Sequence, residues 1–396
     1  MTTQKGVWGL QQVRDKYLQS LWSYSAPGDP SYLYTWGRND SGQLGQNSTN
    51  NGYSSPVQIG NVTTWGTVKG GWEKNIIGSK SDGTLWVWGT NNQGVLGLSQ
   101  ALPTKISSPT QIPGTTWTSS DADKLSAGRY TAGVIKTDGT LWMWGANEHG
   151  ILGQNEGVGN TSKDVSSPIQ IPGTTWKTIA SGGSTFATKT DGTAWGWGRG
   201  GSGALGQNNR TNRSSPTQIP GTNWSKIVIA DAGQGNGPLG LKTDGTLWAW
   251  GLNWYGALGL SQSAYTYSSS PTQIPGTTWD DIQSHDRSSI AKKTDGTLWT
   301  WGKNDDGMLG LNDTAHRSSP VQVGTDTTWS QIFASGHTQG GIKTDGTLWA
   351  FGDGREGQLG QNDSVIRYSS PVQIPGTAWT HVYRGSQDTM IARKRS

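Results

Sequence analysis

The chain has 396 residues, of which 31% are hydrophobic and 15% charged, with a formal net charge of +4 and no cysteine. So weak a positive balance, with no basic stripe, does not imply nucleic-acid binding. The lack of cysteine excludes disulfides and thiolate metal sites, and no run of about eighteen apolar residues predicts a membrane span. Gly (60) and Trp (23) replace the missing aliphatic bulk, since Trp supplies buried area and Gly serves turns.

Residues 1–30 differ in kind from the rest of the chain. Leu10, Val13, Tyr17 and Leu21, with Leu18 and Trp22 beside them, recur at three- and four-residue steps and predict one apolar stripe on a short amphipathic helix. Such a helix is marginal alone in water and needs a surface, either its own propeller or a neighbouring protein. Pro27-Gly28 and Pro30 then predict a linker, and no continuous apolar core of a signal peptide precedes it. Segment 5–22, KGVWGLQQVRDKYLQSLW, resembles the opening of structural proteins of marine tailed phages. By that resemblance Trp8, Leu10, Val13, Tyr17, Leu18, Leu21 and Trp22 form an anchor to other virion proteins.

From Tyr32 onward one unit recurs. Aromatic-Gly pairs at 36, 88, 144, 197, 250, 301 and 351 are 50 to 56 residues apart. Six carry an Asp-Gly-Thr upstream, from Asp82 to Asp345, and Trp36 alone has none. Asp-Gly predicts a type I′ hairpin, and the alternation of Leu247 and Ala249 with Trp248 and Trp250 predicts a strand with two different faces. After each aromatic-Gly come a turn, Leu-Gly, a polar loop ending in Ser-Ser-Pro, and a strand such as 110–112. Pro-Gly-Thr and a Trp-led strand into a bend complete the unit.

A period near fifty with several short strands predicts an all-β propeller filling residues 31–396. The orphan strand at 32–36 supplies what the last unit, 379–394, lacks, so the two chain ends complete one blade and the count is seven. Residues 32–394 resemble the regulator of chromosome condensation repeat family in its bacterial and phage form. The resemblance implies the fold and a habit of binding partners through a rim. The nucleotide-exchange role of one member is not carried over, because no wedge-like insertion stands between repeats.

Catalysis is not expected. His149, His285, His316, His337 and His381 lie in different repeats without metal-ligand spacing, the recurring aspartates read as turn formers, and no cofactor is implied. Candidate contacts are the places where repeats disagree. The bends carry Trp72, Glu73, Lys74, Arg129, Tyr130, Asp231, Gln234, His285, Asp286, Arg287, His337, Gln387 and Asp388, and ring closure should gather them at one channel mouth. Trp254, Tyr255, Tyr265 and Tyr267 form a second candidate, an aromatic patch suited to a sugar face or a protein.

The expected function is a non-enzymatic virion structural protein, its propeller tail-associated, host-binding or capsid-decorating. The alternative is a secreted or surface bacterial protein- or glycan-binding propeller. A host surface protein or glycan is the expected partner, with neither nucleic acid nor membrane insertion.

Overall fold

The Lys-Thr/Ser-Asp-Gly-Thr segments set the register of blades 1 to 6. At 80–84 the Gly83 N–H donates to the Lys80 carbonyl and the Lys80 N–H to the Thr84 carbonyl, both at 3.0 Å. Gly83 has φ +77° and Asp82 is not among the positive-φ residues. This is a three-residue loop, a type I turn closed by one left-handed residue, not the expected two-residue type I′ turn. The side chains decide between them. Asp82 Oδ1 accepts from the Thr84 N–H (2.9 Å) and hydroxyl (2.6 Å), and the Thr84 oxygen in turn accepts from Trp86 Nε1 (2.8 Å). All six copies repeat this relay.

The lysine that opens each hairpin has a partner as well. Lys80 Nζ lies 3.6 Å from the Trp86 ring centroid and 5.0 Å from that of Trp65, and the other five Asp-Gly units reproduce the arrangement. Cation–π attraction thus joins innermost strand, hairpin and third strand.

The computed structural model describes residues 31–50, 52–99, 105–118, 120–156, 163–229, 237–363 and 367–395. Among these, helix is confined to single 3-10 turns, and none is long and apolar enough to cross a membrane. The predicted N-terminal helix and its anchor residues lie outside the described residues, as do Asp231 and Gln234.

Seven four-stranded antiparallel sheets surround one axis. Blade 1 begins with the innermost strand Trp65–Gly70, and blades 2 to 6 begin with Leu125–Ala127, Trp176–Ser181, Trp224–Val228, Trp279–His285 and Trp329–Ser335. Blade 7 is the composite one. Its order is Tyr53–Gln58, Ser31–Gly37, Thr389–Arg395, Trp379–Tyr383, with Ser31 opposite Arg395 and Gly37 opposite Thr389. The two ends of the propeller therefore share one sheet, as the unit count required.

Each blade keeps a free outer edge, and the Ser-Ser-Pro triplets lie there. The outermost strands start before the prolines, as in Lys105–Ile112 with Pro109, and not after them as expected. An edge strand tolerates a missing N–H. The serines receive the neighbouring blade: the Asn362 N–H donates to the Ser54 carbonyl at 2.8 Å, and a Cβ on Gly357 would lie 2.7 Å from Ser54 Cα.

Candidate functional site

The bends between first and second strands gather on one face, as expected from their equivalent places in the repeat. The Asp-Gly hairpins occupy the opposite face. Across the bend-face mouth Trp72 of blade 1 stacks on His285 of blade 5, with centroids 5.0 Å apart and planes within 18°. His285 is 0% exposed, so it lies beneath the rim rather than on it. Its Nδ1 is 3.1 Å from the Gly336 carbonyl, which can only accept, so Nδ1 carries the proton. Burial drives its pKa well below the ordinary value and keeps the ring neutral.

Most other rim groups are engaged with one another. Glu73 accepts from Arg129 Nε at 2.8 Å and from the Tyr130 hydroxyl at 3.1 Å. Lys74 and Arg38 each reach Asp40 at 2.7 Å. Burial opposes the charge of Asp40, but Lys74 and Arg38 outweigh it and hold the carboxylate at about 2. Asp388 is buried, its pKa raised by that burial, with Arg38 at 3.7 Å, and Gln387 beside it is half-buried.

The densest cluster lies between blades 5 and 6. His337 Nε2 is 3.0 Å from Asp286 Oδ2, while Nδ1 faces Asp306 at 3.5 Å and Asp353 at 3.9 Å. Hydrogen bonding to Asp286 and then Asp353 raises His337 to about 10. Asp286 is held at about 2, because His337 and Lys303 outweigh the burial that would raise it. Asp306, His337 and Asp353 place one donor atom each within 4.8 Å of one another, the arrangement a divalent cation would need. The protein supplies its own cations instead: Arg355 reaches Asp353 at 2.5 Å and Arg367 reaches Asp306 at 3.2 Å.

The aromatic patch adjoins this rim through Arg287, whose guanidinium lies 4.0 Å from the Trp254 ring centroid. Tyr255 meets Tyr265 at 6.2 Å and His316 at 4.8 Å, and Arg210 lies 5.2 Å from Tyr267. Tyr265 is 67% exposed and Tyr267 52%. These two rings offer the accessible apolar area of the patch, whereas Trp254 and Tyr255 are half-buried.

Comparing the bends alone missed the channel interior. Lys69, Asp123, Lys226 and Arg384 line it, and Lys226 bonds Asp281 at 2.5 Å with Asp123 at 3.7 Å. The second residue after each repeat Trp is Thr67, Ser119, Thr178, Lys226, Asp281, Gln331 or His381, a variation that aligning the units exposes. Asp306 and Asp353 were missed because they follow Trp301-Gly302 and Phe351-Gly352, Asp306 in the turn and Asp353 at the strand end, outside the bends.

Comparison with known proteins agrees with this architecture. The profile of the Regulator of chromosome condensation (RCC1) repeat matches residues 32–73, 82–132, 138–187, 191–236, 244–291, 295–339 and 345–392. The Arabidopsis thaliana ultraviolet-B receptor UVR8 is 27% identical over 301 residues, 73% of this chain and 65% of the receptor. The Mus musculus E3 ubiquitin-protein ligase HERC2 is 27% identical over 309 residues, 76% of this chain but 6% of the ligase. The chain thus spans less than two thirds of either relative. The structure of yeast RCC1 (Prp20) bound to Kap60 superimposes with a TM-score of 0.78 at 18% identity, covering 93% of this chain and 89% of the other. Human WBSCR16 does so with a TM-score of 0.78 at 18% identity, covering 92% and 100%. With seven profile matches laid end to end over the seven blades, the chain belongs to the RCC1 repeat family.

Proposed function

We propose that the protein is a non-enzymatic binding propeller and a structural component of a phage particle, displayed as a tail-associated, host-binding or capsid-decorating module and attached through residues 1–30. One observation carries the binding reading. On the bend face the ionisable groups neutralise one another, while Tyr267 stands exposed beside Arg210 and Tyr265 stands exposed against Tyr255, whose ring also meets His316 and Arg287. Paired charges are poorly placed for acid–base work, whereas exposed aromatic rings beside cations favour recognition.

Relatives support a binding role. Yeast RCC1 has been crystallised with Kap60, and Prp20p has been characterised for binding to Gsp1p and histones. Support for the particle assignment comes from the sequence of 5–22. Deleting residues 1–28 should yield particles that lack the protein while the propeller still folds, as read by immunoblot of purified particles; normal incorporation overturns the anchor. The exposed tyrosines also favour a second reading, a secreted or surface propeller that binds a glycan or protein. In that case binding to cells survives the deletion and is lost with the tyrosines.

A further inference from the structure

Blade 4 departs from its sisters at its outer edge. Its outermost strand, Thr266–Ile274, has nine residues where those of the other blades have six to eight. The added length pairs Tyr267 with Leu252 and Thr266 with Asn253. Just before it Tyr265 stands at φ +67°, a region that bulky side chains avoid. Tyr255 occupies a left-handed position (φ +54°) that sister turns give to Gln93, His149 and Ser202. Asn253 holds the loop in this shape. It is buried, its Nδ2 donates to the Ser263 carbonyl at 3.0 Å, and its own carbonyl accepts from the Tyr265 N–H at 2.8 Å. The two exposed rings are thus carried on a fixed frame, and a disfavoured backbone conformation held by its surroundings is a mark of binding sites.

The surroundings decide what such rings can meet. Among the described residues the other exposed large hydrophobics are Tyr53 and Val62, on the outermost strand of blade 7 and in the loop after it. No large exposed apolar side chain therefore extends the two rings into the core that a protein interface of about 800 Å² per partner needs. Ser261, Gln262 and Ser263, in the same loop, are exposed instead. A pyranose ring has the matching make-up, an apolar C–H face for an aromatic ring and a polar hydroxyl rim. Arg210 adds a charge. It lies in the loop before the outermost strand of blade 3, is exposed, and places its guanidinium 5.2 Å from the Tyr267 ring centroid. No carboxylate pairs with it among the described residues. A guanidinium resting on an aromatic face keeps its N–H fork for a carboxylate.

We propose that the tyrosine patch is a site for an acidic sugar, in which Tyr265 and Tyr267 stack on pyranose faces and Arg210 takes the carboxylate of a hexuronate residue. The inference rests on the recognition reading of this patch and names its ligand class. Because Arg210 belongs to blade 3 and the tyrosines to blade 4, the sugar chain crosses the junction between two blades, and the site forms only where those blades pack together.

The test uses the full chain and isothermal titration with three tetrasaccharides, of galacturonate, glucuronate and mannuronate. Each is run beside its fully methyl-esterified form, which keeps the rings and removes the charge. Wild type should bind at least one acid roughly tenfold or more tighter than its ester. Arg210→Gln should lose that margin and bind the acid only as well as wild type binds the ester. Replacing Tyr265 and Tyr267 together with Ala should abolish binding of both forms, while Tyr53→Ala on blade 7 leaves both unchanged. All these side chains are exposed, so the variants should melt as wild type does. Equal binding of acid and ester, or an undiminished margin in Arg210→Gln, overturns the proposal at its charge; no binding of any of the sugars overturns it at the glycan. Neither result touches the recognition reading, which falls if the double tyrosine variant binds candidate host cells as wild type does.

Discussion

Trp36 Nε1 donates a 2.8 Å hydrogen bond to the main-chain carbonyl of Gln358, a residue 322 positions further along the chain. The bond joins blade 7 to blade 6, and equivalent indoles at Trp88, Trp144, Trp197, Trp250 and Trp301 join the other blades. Only Phe351, between blades 5 and 6, cannot donate, and that junction holds the His337 cluster instead. Because Phe already occupies this place once, Trp36→Phe should fold. It leaves the buried Gln358 carbonyl without its donor, at a cost of about 1–3 kcal/mol. Urea unfolding should show a lower midpoint, and an unchanged midpoint would mean that the indole bonds add nothing to closure.

A different kind of constraint acts at Gly83. Its φ of +77° lies in the left-handed region, and a Cβ there would sit 2.2 Å from the Thr115 carbonyl oxygen. Gly83→Ala should cost about 1–2 kcal/mol for the backbone conformation alone, plus whatever the overlap with Thr115 demands. The loss should appear as a lower Tm with blade number unchanged, read by calorimetry and small-angle scattering.

These two positions also show how much was legible in the amino acids. The blade count and the shared closing sheet follow from a period of two nested within a period near fifty, and both signals are local. The turn type was not legible from Asp-Gly, which suits either hairpin loop; the following Thr84 tips the choice by bonding Asp82. Gathering of the bends was predictable because equivalent positions must meet around a ring. Their mutual neutralisation was not, because Glu73 and Arg129 are 56 residues apart and only the ring sets their 2.8 Å contact. Lys69 and Lys226 escaped notice because the polar residues facing a channel look like those of any strand exposed on one side.

Two histidines predict opposite limbs of a pH–stability curve. His337, raised to about 10, binds its proton more tightly in the folded protein than in the unfolded chain. Its stabilisation is therefore complete below the ordinary value near 6.5 and fades as pH rises through 10. His285, held well below its ordinary value by burial, costs stability as pH falls below about 6.5, where only the unfolded chain takes up the proton. The stability gap between wild type and His337→Gln should narrow from pH 6.5 to 10. That between wild type and His285→Gln should move against wild type below pH 6.5. Parallel curves in denaturant titrations across pH would contradict both assignments.

Exposure and binding can be separated at the tyrosine patch. Tyr265 and Tyr267 bury little, so replacing both with Ala should change stability by no more than about 0.5 kcal/mol. If the proposed recognition role holds, binding of the purified protein to candidate host cells, measured by pull-down, should fall sharply in the double variant. Equal binding by wild type and the double variant would remove the patch from the recognition surface.

The stack of Trp72 on His285 makes a final prediction about how the rim protects its interior. The imidazole is neutral because Trp72 and the neighbouring strands keep water from it, and its Nε2 has no hydrogen-bond partner among the described residues. Trp72→Ala removes the aromatic contact, worth about 0.5–1.5 kcal/mol beyond area burial, and admits water to Nε2. The penalty on the charged ring then falls, so the His285 pKa should climb toward its ordinary value near 6.5. Following the imidazole proton shifts by NMR should show a titration emerging near neutral pH in the variant and none there in wild type. If His285 stays untitrated in Trp72→Ala, the strands of blades 5 and 6 alone enclose it, and Trp72 is only a surface ornament of the mouth.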